Sequence, residues 1–195
     1  MRRFTQINQE YDSTMEKKDS IALIGFMATG KTTIGKALAM RLGNQYKFVE
    51  TDKIVTKLAG KSIPEIFAED GEEVFRNYEI EACQQVSKRR KVIISCGGGI
   101  VLNQINIKNL KQNCYIVLLN APIEEIYNRI IKDGKDSRPV IDTSEPLEEI
   151  EKVLAYRQPL YYSAAEIVIN TTGKSVSEIV TLILVKVKEL KKDLY

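Results

Sequence analysis

The segment Gly25-Phe-Met-Ala-Thr-Gly30-Lys31-Thr32 fits the pattern G-x-x-x-x-G-K-[ST] residue for residue. Each residue type in it has a use at a polyphosphate. Glycines let backbone amides turn inward on phosphate oxygens, the amino terminus of the following helix adds its positive dipole end, Lys31 brings a point charge, and Thr32 offers a hydroxyl to Mg²⁺. Ala28, Thr29, Gly30, Lys31, Thr32 and Thr33 are therefore the expected nucleotide-binding residues. The loop by itself leaves kinase, motor, switch and ATPase open.

Two further segments carry ligand-type residues, Glu50-Thr-Asp52 and Cys96-Gly97-Gly98-Gly99. Glu50 and Asp52 lie two apart, so on an extended backbone they point the same way, one toward a metal's water shell and one toward an acceptor hydroxyl. Asp52 is also placed to cap a helix carrying Ile54, Val55 and Leu58. Three successive glycines permit close backbone approach to a ligand. With no histidine in the chain, Ser-His-Asp chemistry, Cys-His chemistry and most zinc sites are excluded. Catalysis must use carboxylates, Lys, Arg, hydroxyls and backbone amides. Cys83, Cys96 and Cys114 are odd in number and form no C-x-x-C pair, which predicts reduced core thiols.

The elements that must position these residues follow from periodicity. Short apolar runs at Ile21–Ile24, Lys47–Val49, Val92–Ser95, Tyr115–Leu119 and Ile167–Ile169 predict five buried strands. Between them, Ile34, Ala37, Leu38 and Arg41 mark a helix over Thr32–Leu42, and Phe75, Tyr78, Ala82 and Val86 mark one over Glu72–Lys88. Ser62-Ile-Pro-Glu65 and Ser175-Val-Ser-Glu178 read as capping boxes, Pro122 as a first-turn proline, and Gly43 and Gly60 as stop signals. Continuous apolar strands alternating with helices imply an α/β, three-layer α/β/α fold with a parallel sheet covered on both faces. In such a sheet ligands gather beyond the carboxyl ends of the strands, which brings the phosphate loop, Glu50/Asp52 and the triple glycine to one rim. Lys132–Pro146, polar and carrying Gly134, Pro139 and Pro146, reads as a mobile loop.

Composition bounds the rest. At 195 residues, with 44% hydrophobic and 28% charged residues, the chain reads as one globular domain over residues 20–195, preceded by a polar and mobile extension over residues 1–19. The net charge of +3 is spread along the chain, so no nucleic-acid partner is expected. No apolar run is long enough to span a bilayer and no apolar segment follows the first basic residues, which predicts a soluble, cytoplasmic protein without a membrane partner.

With these residues in view the sequence resembles the shikimate kinases over about Ile21 to Thr171. The resemblance rests on the phosphate loop, F-V-E-T-D at Phe48–Asp52, S-I-P-E-I-F-A-E-D-G-E-E-V-F-R at Ser62–Arg76, and the triple glycine. It extends through S-R-P at Ser137–Pro139 and Y-R-Q-P-L-Y at Tyr156–Tyr161. It implies a nucleoside-monophosphate-kinase-like fold with strand order 2-3-1-4-5. It also implies transfer of the ATP γ-phosphoryl group to the 3-hydroxyl of shikimate, on the route to chorismate and the aromatic amino acids. The roles it implies are as follows: Arg76 and Arg157 hold the shikimate carboxylate, and Asp52 binds its hydroxyls and orients or deprotonates the nucleophile. Gly97, Gly98 and Gly99 contact substrate. Arg138 of the lid, about residues 132–146, meets the phosphates together with Lys31, and Arg129 stacks on adenine. Mg²⁺ is the expected cofactor, held by Thr32 and, through water, by Glu50, which stands where the family usually has Asp.

The expected partners are shikimate and ATP alone, and the expected state is a monomer. A guanidinium fork suits a carboxylate in fixed orientation, which supports the two arginines independently of family. Read without the family, Arg76 is simply a surface arginine among Glu72, Glu73 and Glu79. A gluconate kinase would share loop and fold without needing Arg76, Arg157 and the triple glycine. A nucleotide-binding module that has lost transfer activity would be the non-enzymatic alternative.

Overall fold

The computed structural model describes residues 18–133 and 146–192. The expected extension over residues 1–19, except its last two residues, and most of the expected lid, with Arg138, lie outside the described residues. All five predicted strands form: β1 (Ser20–Ile24), β2 (Lys47–Glu50), β3 (Val92–Ser95), β4 (Cys114–Asn120) and β5 (Ile167–Asn170). They pair in parallel in the order β2-β3-β1-β4-β5, as the resemblance implies.

Eight α-helices are found among the described residues: α1 (Lys31–Leu42), α2 (Thr51–Ala59), α3 (Ile63–Glu69), α4 (Gly71–Ser87), α5 (Gln104–Lys111), α6 (Ile123–Asp133), α7 (Pro146–Ala164) and α8 (Val176–Lys192). Both capping boxes are made, Ser62 with Glu65 and Ser175 with Glu178. Gly43 and Gly60 end α1 and α2 as predicted.

The period-2 alternation of the central strands divides the core into two layers. Ala22 and Ile24 of β1, Val92 and Ile94 of β3, and Ile116 and Leu118 of β4 face one cluster, which also takes in Val86, Leu110, Ile126, Ile150 and Tyr161. Ile21, Leu23, Ile93, Tyr115, Val117 and Leu119 face the other, against Ile34 and Leu38 of α1 and Ile179 and Ile183 of α8. A third, smaller cluster of Val55, Ile66, Phe75 and Ala82 joins α2, α3 and α4. That cluster sets the seating of α4, and so of the charged residues it carries.

Three free thiols, Cys83, Cys96 and Cys114, are buried, matching the reading as reduced core residues. Burial pushes Cys83 and Cys114 up to about 12 and Cys96 well above its ordinary value, so none is a ready nucleophile. Among the described residues no helix is long and apolar enough to cross a membrane.

Candidate active site

Beyond the carboxyl ends of β1, β2 and β3 opens a cleft of about 650 Å³, whose walls include Met27–Ile34, Glu50, Asp52, Ser95 and Gly98. The phosphate loop connects β1 directly to α1, so the sequence that turns the chain also aims the helix amino terminus into the cleft. Thr29 braces the loop by donating its hydroxyl to the Phe26 carbonyl at 2.8 Å. Lys31 Nζ donates to the Gly25 and Phe26 carbonyls at 2.9 and 2.7 Å, which places its charge over the loop's concavity.

At the next strand end the structure revises one local expectation. β2 ends at Glu50 and α2 begins at Thr51, so Asp52 sits in the first turn of a helix and not on extended backbone. Glu50 and Asp52 nonetheless line the same cleft. Asp52 does not cap α2 either, because Glu50 holds that position and makes no side-chain cap. Its charge near the helix amino terminus is still favourable.

The two carboxylates have opposite environments. Burial works against ionisation of Glu50, but hydrogen bonds from Lys53 and Thr32 and the charges of Lys53 and Lys36 outweigh it and hold the carboxyl below its ordinary range. Thr32 Oγ1 donates to Glu50 Oε1 at 2.9 Å, Lys53 Nζ pairs with Glu50 Oε2 at 2.6 Å, and the Ser95 hydroxyl lies 3.4 Å from that of Thr32. Asp52 is reachable from the cleft, yet protein atoms crowd its carboxyl. That desolvation pushes it above the usual value, against the opposing charge of Lys31.

The triple glycine is where four charged side chains meet, those of Asp52, Arg76, Glu79 and Arg157. A Cβ on Gly97 would stand 2.5 Å from Asp52 Oδ1 and 3.3 Å from Glu79 Oε1, and one on Gly99 would collide with the Arg76 guanidinium. A Cβ on Gly98 would lie 3.8 Å from Arg157 Nη1 and 3.9 Å from the Met27 amide of the phosphate loop. Close approach of charged groups to bare backbone, and not a left-handed turn, is what glycine supplies here.

Arg76 is no loose surface residue. Its side chain is 18% exposed, pairs with Glu79 Oε2 at 3.0 Å and Glu72 Oε1 at 2.9 Å, and lies over the Phe75 ring. Glu79, 1% exposed, is a site residue that the sequence reading passes over as one of several helix glutamates. The signal was its i,i+3 spacing from Arg76, which puts both on one helix face. Burial pushes its carboxyl up while Arg76 opposes that shift. Glu79 Oε1 and Arg157 Nε are both buried without a hydrogen-bond partner. Both residues flank the glycine turn, Glu79 beside Gly97 and Arg157 beside Gly98.

Arg129 stands at the other end of the cleft. Its Nη1 donates to the Ala28 carbonyl and the Thr171 hydroxyl, each at 3.2 Å, and its Nη2 pairs with Glu125. Thr171, buried and given no site role from the sequence, belongs to this end, as does Lys174. The structure therefore brings together every described residue expected at the site, and separates Arg129 from the glycine–arginine group.

The model of the shikimate kinase family matches residues 27–188. The chain belongs to the shikimate kinase family. A shikimate kinase of Caldanaerobacter subterraneus subsp. tengcongensis is 42% identical over 160 residues, covering 82% of this chain and 91% of that one. A solved shikimate kinase of Acinetobacter baumannii, in complex with shikimate, superposes with a TM-score of 0.82 at 30% identity, covering 92% and 98% of the two chains. A gluconokinase of Sinorhizobium meliloti shares the fold at a TM-score of 0.59 and 16% identity, covering 92% and 98%. The fold is thus common to shikimate kinases and a gluconokinase.

Proposed function

We infer that this chain is an ATP-dependent shikimate kinase, transferring the γ-phosphoryl group to the 3-hydroxyl of shikimate in the biosynthesis of chorismate and the aromatic amino acids. The observation that carries the assignment of roles is the convergence of Arg76, Arg157 and Asp52 on Gly97–Gly99, beside the phosphate loop. Two guanidinium groups near one rim suit a carboxylate on a rigid ring, and a carboxylate between them and the loop suits the hydroxyl to be phosphorylated.

In this reading Ala28, Thr29, Gly30, Lys31, Thr32 and Thr33 hold the polyphosphate, and Arg129 flanks the base. Arg138, outside the described residues, joins Lys31 on the resemblance alone. Asp52 accepts a hydrogen bond from the acceptor hydroxyl and takes or orients its proton, for which a carboxyl raised above the usual value is better matched than an ordinary one. Lys31 is aimed at the oxygens on which charge collects during transfer. Arg76 and Arg157 fix the ring so that the oxygen lies in line with the γ-phosphorus.

An ATP-using kinase calls for a divalent cation, and the donor set fits Mg²⁺. Thr32, ionised Glu50 and Ser95 present oxygens at one point, and among the described residues no cluster of three or more His, Cys, Asp or Glu forms a cage of its own. That is the pattern of a cation shared with phosphates. When bound, Mg²⁺ would neutralise phosphate charge. Thr32 would hold it directly and Glu50 through water, where the extra methylene relative to Asp is absorbed. The reading includes a cytoplasmic monomer that meets only shikimate and ATP. A coupled ADP-release assay tests it. Release should require Mg²⁺ and shikimate together, and equal release with gluconate, or release indifferent to shikimate, would overturn it.

A further inference from the structure

Tyr161 closes the Y-R-Q-P-L-Y segment, and no role attaches to it above. It is 2% exposed, its ring lies in the core layer that holds Phe26 and Ile100, and its hydroxyl donates to the Gly98 carbonyl at 2.5 Å, across 63 residues of sequence. Arg157 precedes it by four residues on α7, so the two side chains share a helix face. Between them stands Pro159, inside the helix. A proline there removes one backbone donor and crowds the carbonyl four residues back, so the helix's own ladder is weakened where it carries Arg157.

The two arginines of the acceptor site are therefore held in different ways. Arg76 is braced by Glu72 and Glu79. Arg157 has its Nε buried without a partner and its side chain hydrogen-bonded to the Tyr161 hydroxyl, so its place depends on Tyr161 and on where α7 sits against the glycine turn. We propose that the Tyr161 hydroxyl is a positioning group for shikimate: by holding the Gly98 carbonyl it locks α7, and with it Arg157, against Gly97–Gly99. This rests on the acceptor site described under the proposed function. Burial raises the phenol to about 12, with Arg157 opposing, so the hydroxyl keeps its proton and remains a donor throughout the working range. A buried tyrosine needs some partner for its hydroxyl in any case. What makes this one more than upkeep of the core is that its acceptor is the substrate-facing turn and its helix carries the less braced arginine.

The test is calorimetric titration of shikimate, without nucleotide, into wild type, Tyr161→Phe and Leu160→Ala, with an ATP analogue titrated separately and melting temperatures recorded. Leu160 packs against the same core from the neighbouring position and lines a separate hollow with Val101, Ile107 and Ala164. Tyr161→Phe should raise the shikimate Kd about twofold to twelvefold, the span of one net hydrogen bond, and leave the ATP-analogue Kd unchanged. At saturating shikimate its kcat should stay within about twofold of wild type, as expected when positioning and not chemistry is lost. Leu160→Ala should lower the melting temperature at least as much without moving the shikimate Kd. An unchanged shikimate Kd in Tyr161→Phe, an equal loss for both ligands, or an equal loss of shikimate affinity in Leu160→Ala would each overturn the proposal. Should Tyr161→Phe fail to fold, hydrogen exchange in wild type decides. Shikimate must protect residues 157–161 and Gly97–Gly99 together, and protection of the glycine turn alone contradicts it. Wild type that does not bind shikimate would overturn the functional reading itself, a result distinct from wild type that binds as well as its Tyr161→Phe variant.

Discussion

The two halves of the cleft are built by opposite means. The nucleotide half is local: one uninterrupted segment, Gly25–Thr32, supplies the turn, the inward amides, the lysine and the helix start. The acceptor half is assembled from four separate places, Asp52 on α2, Arg76 and Glu79 on α4, the glycine turn after β3, and Arg157 on α7. It coheres through contacts such as the 2.8 Å bond from the Gly97 amide to the Thr51 hydroxyl, made across 46 residues. A local site can serve any kinase of this fold, whereas a dispersed one can be retuned segment by segment for a new acceptor. Damage to the acceptor half should therefore be selective, and damage where the halves meet should stop transfer while leaving both ligands bound.

The largest effect is expected at that meeting point. Asp52→Asn should bind shikimate and ATP nearly as wild type, since an amide still hydrogen-bonds a hydroxyl. It should lose turnover by about a hundredfold to ten-thousandfold because it cannot take the proton. Single-turnover phosphoryl transfer measures this, and unchanged turnover would leave Asp52 as a helix-terminal charge only.

Next comes Gly99→Ala. Its methyl group must displace the Arg76 guanidinium, and overpacking of that kind costs about 1 to 3 kcal/mol. The loss should appear in shikimate affinity and not in ATP-analogue affinity. Equal loss for both ligands would erase the separation of the two halves.

A smaller effect is expected on the metal side. Glu50→Ala should raise the Mg²⁺ concentration for half-maximal activity and leave shikimate affinity at saturating metal unmoved, whereas Glu50→Asp should be mild. A Mg²⁺ titration of the three proteins decides it. A normal requirement in Glu50→Ala would make Glu50 a bystander.

The smallest effect separates the two carboxylates by pH. In the proposed mechanism Asp52 acts as an anion, and its carboxyl is raised, so kcat at saturating ligands should fall as pH drops through an inflection above 3.8. Glu50, held below its ordinary value, stays ionised across that limb, so the Mg²⁺ requirement should not change there. An acid limb at or below 3.8 would contradict the environment ascribed to Asp52.

Legibility in the sequence follows the same division. The phosphate loop, the five strands and both capping boxes are short-range features, written in consecutive residues, and all form. α5 and α7 carry no period that the sequence reading marks. In α7 Pro159 argues against a continuous helix, and tertiary packing overrides it. Asp52 reaches the cleft by a route that strand geometry does not anticipate, because β2 runs into α2 without a connecting residue. Arg76 and Arg157 are proposed through family resemblance and not through local pattern. Glu79, Tyr161 and Thr171 stayed hidden because their partners are distant in sequence or masked by neighbours of the same type.

The central claim is that the acceptor half, and within it the arginine pair, recognises shikimate independently of the nucleotide half. Calorimetric titration of Arg157→Ala with shikimate and, separately, with an ATP analogue tests it most directly. Removing one charged partner of a desolvated carboxylate should cost about 2 to 5 kcal/mol in shikimate binding and leave ATP-analogue binding within error of wild type. Shikimate affinity equal to wild type, or a parallel loss for both ligands, would contradict it.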